Sequence, residues 1–198
     1  VQQVLDSADI LCATTTGLDS EILGQRTFDL AVIDEAAQST EPGCWIPLPR
    51  CERLVLAGDH CQLPPTVVSR QAANEGFALS LMERLIDLHT PDIARQLTVQ
   101  YRMHQAIMEF SSAEFYDDSL VASESVREHL LSDLDGVESN DLTSSPIHFI
   151  DTAGAGYDEQ LEPDGQSRLN PGEADIVCGK VETLVAAGMS PRDLAVIT

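Results

Sequence analysis

The stretch Asp29-Leu30-Ala31-Val32-Ile33-Asp34-Glu35 decides the fold class of this chain. Its central residues are apolar, and they predict a short strand that is buried on both faces. The adjacent carboxylates of Asp34 and Glu35 cannot be buried with it, so we expect them to emerge at the carboxyl end of the strand. Ligands of open α/β sheets bind at that edge. The stretch therefore predicts an α/β protein with an acidic site at the end of a parallel strand.

Adjacent carboxylates at the end of a strand suit one kind of chemistry in particular. One acid can hold Mg²⁺ while its neighbour orients or deprotonates an attacking water. Asp34 and Glu35 therefore predict the part of a nucleotide hydrolase that binds Mg²⁺ and activates the attacking water. A purely structural interpretation stays open on these residues alone, because Asp34 could instead cap a helix that starts at Ala36-Ala37.

A second strand repeats the pattern of an apolar run followed by an acid. The run at 53–59 ends in Gly58-Asp59, and Gln62 and Pro64-Pro65 follow it. Glycine lets a backbone approach a ligand closely, and a glutamine amide both donates and accepts hydrogen bonds. Gln62 could therefore touch a phosphate oxygen and an attacking water together, although an ordinary turn could use the same residues.

Strands that alternate with helices indicate parallel, doubly wound sheets. Further strands are expected at 9–14, 97–99, 147–150 and 194–198, and helices at 77–88, 104–116 and 170–187. The segment 117–145 is rich in Asp, Glu and Ser, so we expect it to be loosely ordered, with at most a short helix near 125–134. A new unit begins near Ile93, which divides the chain into domains at 1–92 and 93–198.

The helix expected at 170–187 carries clear start and stop signals. Asn170 can act as its N-cap, Pro171 fills the first helical position, and Glu173 completes a box-like arrangement. Gly188 follows as the stop signal. These residues are explained by helix capping, and we assign them no catalytic role.

The composition limits the compartment of the protein. With 198 residues and 43% hydrophobic content the chain can build a core, and no apolar run is long enough to span a bilayer. The five cysteines show no metal-ligand spacing, and the first residues lack the pattern of a signal peptide. We therefore expect reduced thiols in a cytoplasmic protein that has no membrane partner.

The charge limits the kind of partner. Eleven basic residues face 33 acidic ones, for a net charge of -22. Phosphate contacts supply most of the affinity for nucleic acids, so this charge argues against a large non-specific DNA-binding face. A narrow channel lined by a few arginines and backbone amides stays open. The acidic shell is either simply solvated or a docking surface for protein partners.

The segment Gln100-Tyr101-Arg102-Met103-His104 is a third candidate element. The Arg102 guanidinium offers five donors in a fork that matches phosphate oxygens, and Tyr101 offers a flat face on which a purine could stack. A half-buried tyrosine and a surface arginine at the start of a helix would give the same pattern. His60 and His104 lack partner ligands at helical or turn spacing, so spacing alone predicts no zinc site.

Taken in order, these elements resemble the superfamily 1B helicases, the branch of the nonsense-mediated-decay RNA helicase and the immunoglobulin-mu-binding-protein helicase. Asp34–Gln38 is similar to motif II of that family, Gly58–Pro65 to motif III, and Gln100–His104 to motif IV. The flanking segments Ser7–Gly17, Ser80–Leu85, Leu169–Ala174 and Leu194–Thr198 are also typical. The resemblance implies two partial RecA-like domains of the P-loop NTPase class, which bind ATP between them and a single strand of DNA or RNA across their top.

The resemblance also implies a role for each candidate residue. Asp34 would bind Mg²⁺ and Glu35 would activate the hydrolytic water, while Gln38 would support that network. Gln62 would sense the γ-phosphate of ATP. Arg102 would contact the γ-phosphate, and Tyr101 would stack on the adenine. The loop Thr14, Thr15 and Thr16 would lie near the nucleic-acid backbone.

The chain departs from the family in one respect. It contains no G-x-x-x-x-G-K-[ST] loop, since Gly179-Lys180 is followed by Val181 inside an expected helix. We therefore expect this segment alone to be inactive and the ATP hydrolase to be the intact parent. Two alternatives stay open, namely a non-catalytic interaction module with a relic ATP site and the ATPase part of a helicase-nuclease.

Overall fold

The protein is described by a computed structural model that covers residues 2–18, 20–163, 165 and 167–197. It divides into two compact units, Val1–Gln96 and Leu97–Thr198. The boundary between the two units along the chain lies after Gln96, four residues later than the division expected from the sequence at 92/93. The domain boundaries of the intact protein stay a prediction.

The first unit is built on a pair of parallel strands. Strand β1 is Phe28–Ile33 and strand β2 is Cys51–Leu56, with Leu30 opposite Arg53 and Ile33 opposite Leu56. The helices are α1 (Gln2–Ser7), α2 (Ser20–Leu23), α3 (Glu41–Trp45), α4 (Arg70–Ala72) and α5 (Leu81–His89). Short 3-10 turns lie at Thr15–Gly17, Ala36–Gln38 and Leu48–Arg50.

Strand β1 is buried on one face only, so the expectation of burial on both faces is wrong. Ile33 is 5% exposed, whereas Leu30 and Val32 are 47% and 59% exposed. Successive side chains of a strand point to opposite faces, and Ile33 packs with Ala36, Cys44 and Leu81. Within the described residues, Leu30 and Val32 have no comparable apolar cover. The pairing of β1 with β2 is parallel, as expected for an α/β protein.

Helix α5 begins later than the sequence predicts. The helical periodicity at 77–88 indicates a start near Phe77, but a kinked turn at Ala73–Phe77 precedes the helix, and Gly76 in it has a φ of 105°. The helix starts after Ser80, whose buried side chain accepts a 3.1 Å hydrogen bond from the Glu83 N–H. A serine at this position satisfies a backbone donor that the first helical turn leaves open.

The second unit also contains a parallel pair. Strand β3 (Val99–Gln100) pairs in parallel with β4 (Val121–Ala122), and β5 (Gln160–Leu161) pairs antiparallel with β6 (Arg168–Leu169). Helices α6 (Gln105–Phe115) and α7 (Pro171–Ala186) are the long ones, and 3-10 turns lie at Leu131–Asp133 and Pro191–Asp193.

The start and stop signals of α7 are confirmed in part. Asn170 Oδ1 accepts a 3.2 Å hydrogen bond from the Glu173 N–H, and Gly188 follows the helix with a φ of 105°. The box is only half present, because Glu173 Oε1 accepts from the Thr152 hydroxyl at 2.8 Å. The Glu173 side chain therefore ties the helix start to a neighbouring loop.

The prediction of strands at 9–14, 147–150 and 194–197 is wrong, because the structure has no strand at these residues. Residue 198 lies outside the described residues. These runs form no ladder with the described strands, and Ile10, Phe149 and Ile197 are 81%, 89% and 94% exposed. An apolar run becomes a strand only where a neighbouring backbone pairs with it. Local sequence carries no information about that neighbour.

The segment 117–145 is more ordered than expected. It contains β4 and a 3-10 turn at Leu131–Asp133, where a short helix is expected. Thr143 is fully buried; its hydroxyl donates to the Glu138 carbonyl at 2.8 Å and accepts from the Asn140 N–H at 2.8 Å. Side-chain to backbone hydrogen bonds thus fix a segment whose composition is mainly polar. Among the described helices, none is both long and apolar enough to cross a membrane.

Candidate functional site

The Asp34-Glu35 pair lies directly after β1, where the chain makes a sharp turn. Glu35 has a φ of 52° and a ψ of 38°, in the left-handed region that residues other than glycine rarely occupy. Strained conformations of this kind cluster at functional sites. Both acids are exposed, whereas Ala36 and Ala37, which follow, are buried at 0% and 3% exposure. The turn therefore leaves both carboxylates outside the core.

The capping interpretation of Asp34 is wrong in this structure. The 3-10 turn Ala36–Gln38 follows Glu35, and no side chain caps it. Asp34 Oδ1 accepts a 3.0 Å hydrogen bond from the Glu35 N–H, which lies before the turn. This bond steadies the strained Glu35 backbone and leaves Asp34 at the surface.

Gln38 contacts the Glu35 carboxylate. Its Nε2 donates a 3.1 Å hydrogen bond to Glu35 Oε2. The short 3-10 turn places the two side chains three residues apart on one side. Gln38 can thus orient the carboxylate without removing its negative charge.

The loop after β2 holds Gln62 through Asp59. Gln62 Nε2 donates to Asp59 Oδ2 at 2.7 Å, and the Gln62 N–H donates to the Asp59 carbonyl at 3.2 Å. Asp59 Oδ1 also accepts from the Cys61 N–H at 3.0 Å. No role of Asp59 is predicted from the sequence, although an acid three residues before a glutamine in a turn is a usable signal. Asp59 is the residue that positions the Gln62 amide.

Backbone contacts join the loops after β1 and β2. The Ala57 N–H donates to the Ile33 carbonyl at 2.9 Å, and the Ala36 N–H donates to the Ala57 carbonyl at 2.8 Å. A Cβ on Gly58 would lie 3.0 Å from the Ala36 nitrogen and 3.1 Å from the Ala37 nitrogen. Only glycine fits this approach without a shift of backbone. The acidic pair and the Gln62 loop are therefore brought to the same edge of the sheet.

Neighbouring elements of the first unit brace this edge. Arg84 on α5 and Glu41 on α3 form an ion pair at 2.8 Å, and the Glu41 side chain is only 17% exposed. In the predicted nucleic-acid loop, Thr14 and Thr16 are exposed and Thr15 is half-buried. Thr15 Oγ1 lies 4.0 Å from the position that a Cβ on Gly43 would take, so the loop adjoins α3.

In the second unit, Gln100 fixes the turn that carries Tyr101 and Arg102. Gln100 Oε1 accepts from the N–H groups of Arg102 and Met103 at 2.9 and 2.8 Å, and its Nε2 donates to the Met103 carbonyl at 2.8 Å. Tyr101 is 71% exposed. Arg102 is exposed and forms no ion pair with any other described residue. The turn thus presents both side chains to solvent.

His104 ends the same turn and has a structural role. Its Nδ1 accepts a 3.0 Å hydrogen bond from the Ala106 N–H, which makes it the N-cap of α6. The capping role of His104 and the clamping role of Gln100 are both missed by sequence reasoning. Their signal is a polar side chain at each end of a short turn, which many loops share.

Comparisons with known proteins agree with this arrangement of motifs. Models of the AAA domain family match residues 1–70 and 77–198. The chain is 48% identical over its full length to the DNA-binding protein SMUBP-2 of Mesocricetus auratus, of which it covers 20%. It is 39% identical to the DNA polymerase alpha-associated DNA helicase A of Schizosaccharomyces pombe, covering 30% of that protein.

A third relative is a regulator of nonsense transcripts 1 homolog from Neurospora crassa. The chain is 38% identical to it over 100% of its own length and covers 18% of that protein. The chain thus spans between about a fifth and a third of these relatives. It belongs to the AAA domain family, and the names of these relatives agree with its resemblance to the superfamily 1B helicases.

Proposed function

We propose that the protein containing this chain is an ATP-dependent helicase or translocase that hydrolyses ATP to move along single-stranded DNA or RNA. The observation that carries the proposal is the joining of two loops at one sheet edge. One loop bears Asp34 and Glu35, the other bears Asp59 and Gln62, and the Gly58 contact holds them together. Two of the relatives have helicase or DNA-binding names, which supports the nucleic-acid partner.

Asp34 fits the role of a magnesium ligand. Mg²⁺ binds through one or two carboxylates together with phosphate oxygens and water, and Asp34 is an exposed carboxylate at the end of a strand. The bound ion would neutralise charge that develops on the phosphates. The hydrogen bond from the Glu35 N–H to Asp34 Oδ1 would leave Oδ2 able to bind the ion.

Glu35 is the proposed general base. Its exposed carboxylate can accept a proton from an attacking water, and Gln38 Nε2 orients it at 3.1 Å. The two carboxylates have different partners, since Asp34 Oδ1 accepts from the Glu35 N–H and Glu35 Oε2 accepts from Gln38, which fits separate roles. One acid would hold the metal ion, and the other would receive the proton.

Gln62 is the proposed sensor of the γ-phosphate. Its amide nitrogen is held by Asp59 Oδ2, so its carbonyl oxygen is the free end that can accept a hydrogen bond from water. A shift of Gln62 toward a phosphate would exchange the Asp59 contact for a new one. The shift of Gln62 would thereby transmit the presence of the γ-phosphate to the loop that continues into Pro64-Pro65.

Tyr101 and Arg102 are the proposed nucleotide contacts of the second unit. The Arg102 guanidinium is suited to the γ-phosphate because its fork matches two oxygens and no acid among the described residues neutralises it. The exposed ring of Tyr101 is suited to stack on the adenine. Gln100 keeps both residues in a fixed turn before any ligand binds.

The nucleic acid is proposed to pass the Thr14–Thr16 loop. Hydroxyl groups and backbone N–H groups can hold phosphates without a basic surface, which suits a chain with a net charge of -22. We also propose that the acidic surface binds protein partners. The choice between DNA and RNA depends on contacts to the 2′-hydroxyl.

The test is ATP hydrolysis by the full-length protein with and without single-stranded DNA and RNA oligonucleotides. We expect strong stimulation by at least one polymer, and a stimulated rate that requires Mg²⁺. Substitution of Thr14 and Thr16 by alanine should raise the polymer concentration needed for half-maximal stimulation. The rate without polymer is the internal control for folding.

A second candidate function is a non-catalytic interaction module. The net charge of -22 favours it, because phosphate contacts from basic residues supply most of the affinity for nucleic acids. It predicts that the full-length protein hydrolyses ATP at the same negligible rate with both polymers. An ATPase that drives a fused nuclease would instead degrade the polymer while it hydrolyses ATP.

A further inference from the structure

The loop after β2 contains a cluster of three metal-ligating side chains, of which the proposed ATPase chemistry uses only Asp59, to position Gln62. Asp59, His60 and Cys61 offer one donor atom each, and these atoms all lie within 4.8 Å of one another. It is the one such group of three or more among the described residues. His60 is exposed and its neighbours are half-buried, so an ion could reach the cluster from solvent.

The donor set selects a class of metal. A thiolate, an imidazole and a carboxylate suit Zn²⁺ and similar borderline-soft ions, whereas Mg²⁺ prefers oxygen ligands alone. The distance from Cys61 Sγ to His60 Nε2 is 3.8 Å. Tetrahedral zinc with bonds of about 2.3 Å to sulfur and about 2.0 Å to nitrogen would place these atoms about 3.6 Å apart. The observed pair needs a movement of only a few tenths of an ångström.

A tight turn explains how consecutive residues can face one ion. Asp59 Oδ1 accepts from the Cys61 N–H at 3.0 Å, and the Asp59 carbonyl accepts from the Gln62 N–H at 3.2 Å. These bonds fold the backbone back on itself and bring the three side chains together. Spacing rules for zinc sites assume ligands two or more residues apart, which is why sequence spacing predicts no zinc site here.

The cluster also has the hydrogen-bonded support that metal sites usually show. A ligating carboxylate is commonly held by hydrogen bonds from its surroundings. The Asp59 carboxylate accepts from Gln62 Nε2 at 2.7 Å and from the Cys61 N–H. A carboxylate has about four lone-pair sites, so it can accept both bonds and still bind an ion.

We propose that Asp59, His60 and Cys61 form a binding site for a borderline-soft divalent cation of the Zn²⁺ class. Binding converts the Cys61 thiol to a thiolate and releases its proton to the solvent. The ion also fixes Asp59 and, through the 2.7 Å hydrogen bond, fixes Gln62 in the position seen here. The cation therefore slows ATP hydrolysis. Only this last consequence rests on the proposed function, because metal binding itself requires no ATPase activity.

The test of the site is titration of the full-length protein with Co²⁺, which reports its ligands by colour, in the presence of a phosphine reductant. We expect a sulfur-to-cobalt charge-transfer band together with tetrahedral d–d bands, and their loss when Zn²⁺ is added. Cys61→Ser should remove the charge-transfer band, and His60→Ala should weaken Co²⁺ binding at least about tenfold. Absence of the bands from the unsubstituted protein would overturn the proposal.

Matched controls separate this site from the other thiols. Cys12 and Cys178 are exposed and free, so Cys12→Ser and Cys178→Ser should leave the cobalt spectrum unchanged. A charge-transfer band that survives Cys61→Ser but disappears in either control would place the ion elsewhere and contradict the proposal. Circular dichroism of each variant shows that the fold is retained.

The effect on hydrolysis is a separate measurement. The ratio of ATPase rates with and without Zn²⁺, at fixed Mg²⁺, should fall below one in the unsubstituted protein and return toward one in Cys61→Ser. An equal ratio in both proteins would overturn the link to Gln62, whatever the cobalt spectra show. A protein that binds Co²⁺ at Cys61 but hydrolyses no ATP would refute the proposed function and leave the metal site standing.

Discussion

At the scale of single residues, the site depends on side chains that hold one another in place. Gln38 holds Glu35, and Asp59 holds Gln62, by hydrogen bonds of 3.1 and 2.7 Å. A residue that positions another side chain contributes to the rate through geometry, since small displacements of a reacting group are costly. Asp59 should therefore matter for hydrolysis even though its proposed role involves no contact with the nucleotide.

Substitution of Asp59 by asparagine tests this positioning role. Asparagine keeps the shape of the side chain but removes one acceptor oxygen, so Gln62 loses its charged partner. We expect kcat for ATP to fall by about tenfold with little change in KM, because Gln62 then starts from many positions instead of one before it shifts toward the nucleotide. Asp87→Asn, at an exposed position on α5, is the control and should leave both values unchanged.

The close approach at Gly58 gives a prediction about stability. A methyl group there would meet the backbone nitrogens of Ala36 and Ala37 at 3.0 and 3.1 Å, and neither can move without disturbing the core. Gly58→Ala should destabilise the protein by about 1–3 kcal/mol in urea unfolding. Gly179→Ala is the control, since nothing lies within 4 Å of its added carbon and alanine favours the helix. Equal stability of the two variants would contradict the close approach of the two loops.

At the scale of elements, α5 supports the site through its first turn. The Ser80 side chain is fully buried and accepts from the Glu83 N–H at 3.1 Å, while Met82 contacts the Gly58 backbone region. Loss of a serine cap usually costs about 1 kcal/mol, and the buried position leaves no water to replace it. The helix start therefore affects both the stability of the unit and the position of the Gly58 loop.

Ser80→Ala should lower the free energy of unfolding by about 1–2 kcal/mol. Ser69 caps the short α4 by a 3.3 Å hydrogen bond at an exposed position, so Ser69→Ala should cost clearly less. Urea denaturation followed by circular dichroism measures both. A larger loss in Ser69→Ala would show that the Ser80 cap does not stabilise the unit as described.

The elements that can be predicted from sequence are those with local signals. Short apolar runs predict β1 and β2 and the acids that come after them, and Asn170 and Gly188 predict the two ends of α7. The runs at 9–14 and 147–150 have similar composition but no described strand pairs with them. Pairing depends on distant residues, so composition alone could not separate these cases.

The candidate site shows the same division between local and non-local information. The order of Asp34, Glu35, Gln62 and Arg102 can be read from the sequence because each follows a recognisable strand or turn. The left-handed backbone of Glu35 and the Asp59 contact to Gln62 could not be read from it. Both result from the way in which the loops after β1 and β2 pack against each other.

At the scale of the whole molecule, the net charge of -22 is the dominant feature. Self-repulsion of like charges destabilises a compact state, and the described residues show only three ion pairs to offset it. Raising NaCl from about 0.1 M to about 1 M shortens the screening length from about 10 Å to about 3 Å. We expect the melting temperature to rise over this range, and by the same amount in KCl. A melting temperature that falls with salt would contradict a destabilising acidic shell.

The measurement that tests the central claim most directly is steady-state ATP hydrolysis by the full-length protein carrying Glu35→Gln. Glutamine keeps the size of the side chain but cannot accept the proton of water, so we expect kcat to fall by about 10²–10⁴-fold while ATP binding, followed with a fluorescent analogue, persists. Glu114→Gln, at an exposed position on α6, should retain the full rate. Hydrolysis by Glu35→Gln at the unsubstituted rate would show that Glu35 is not the base and would contradict the account.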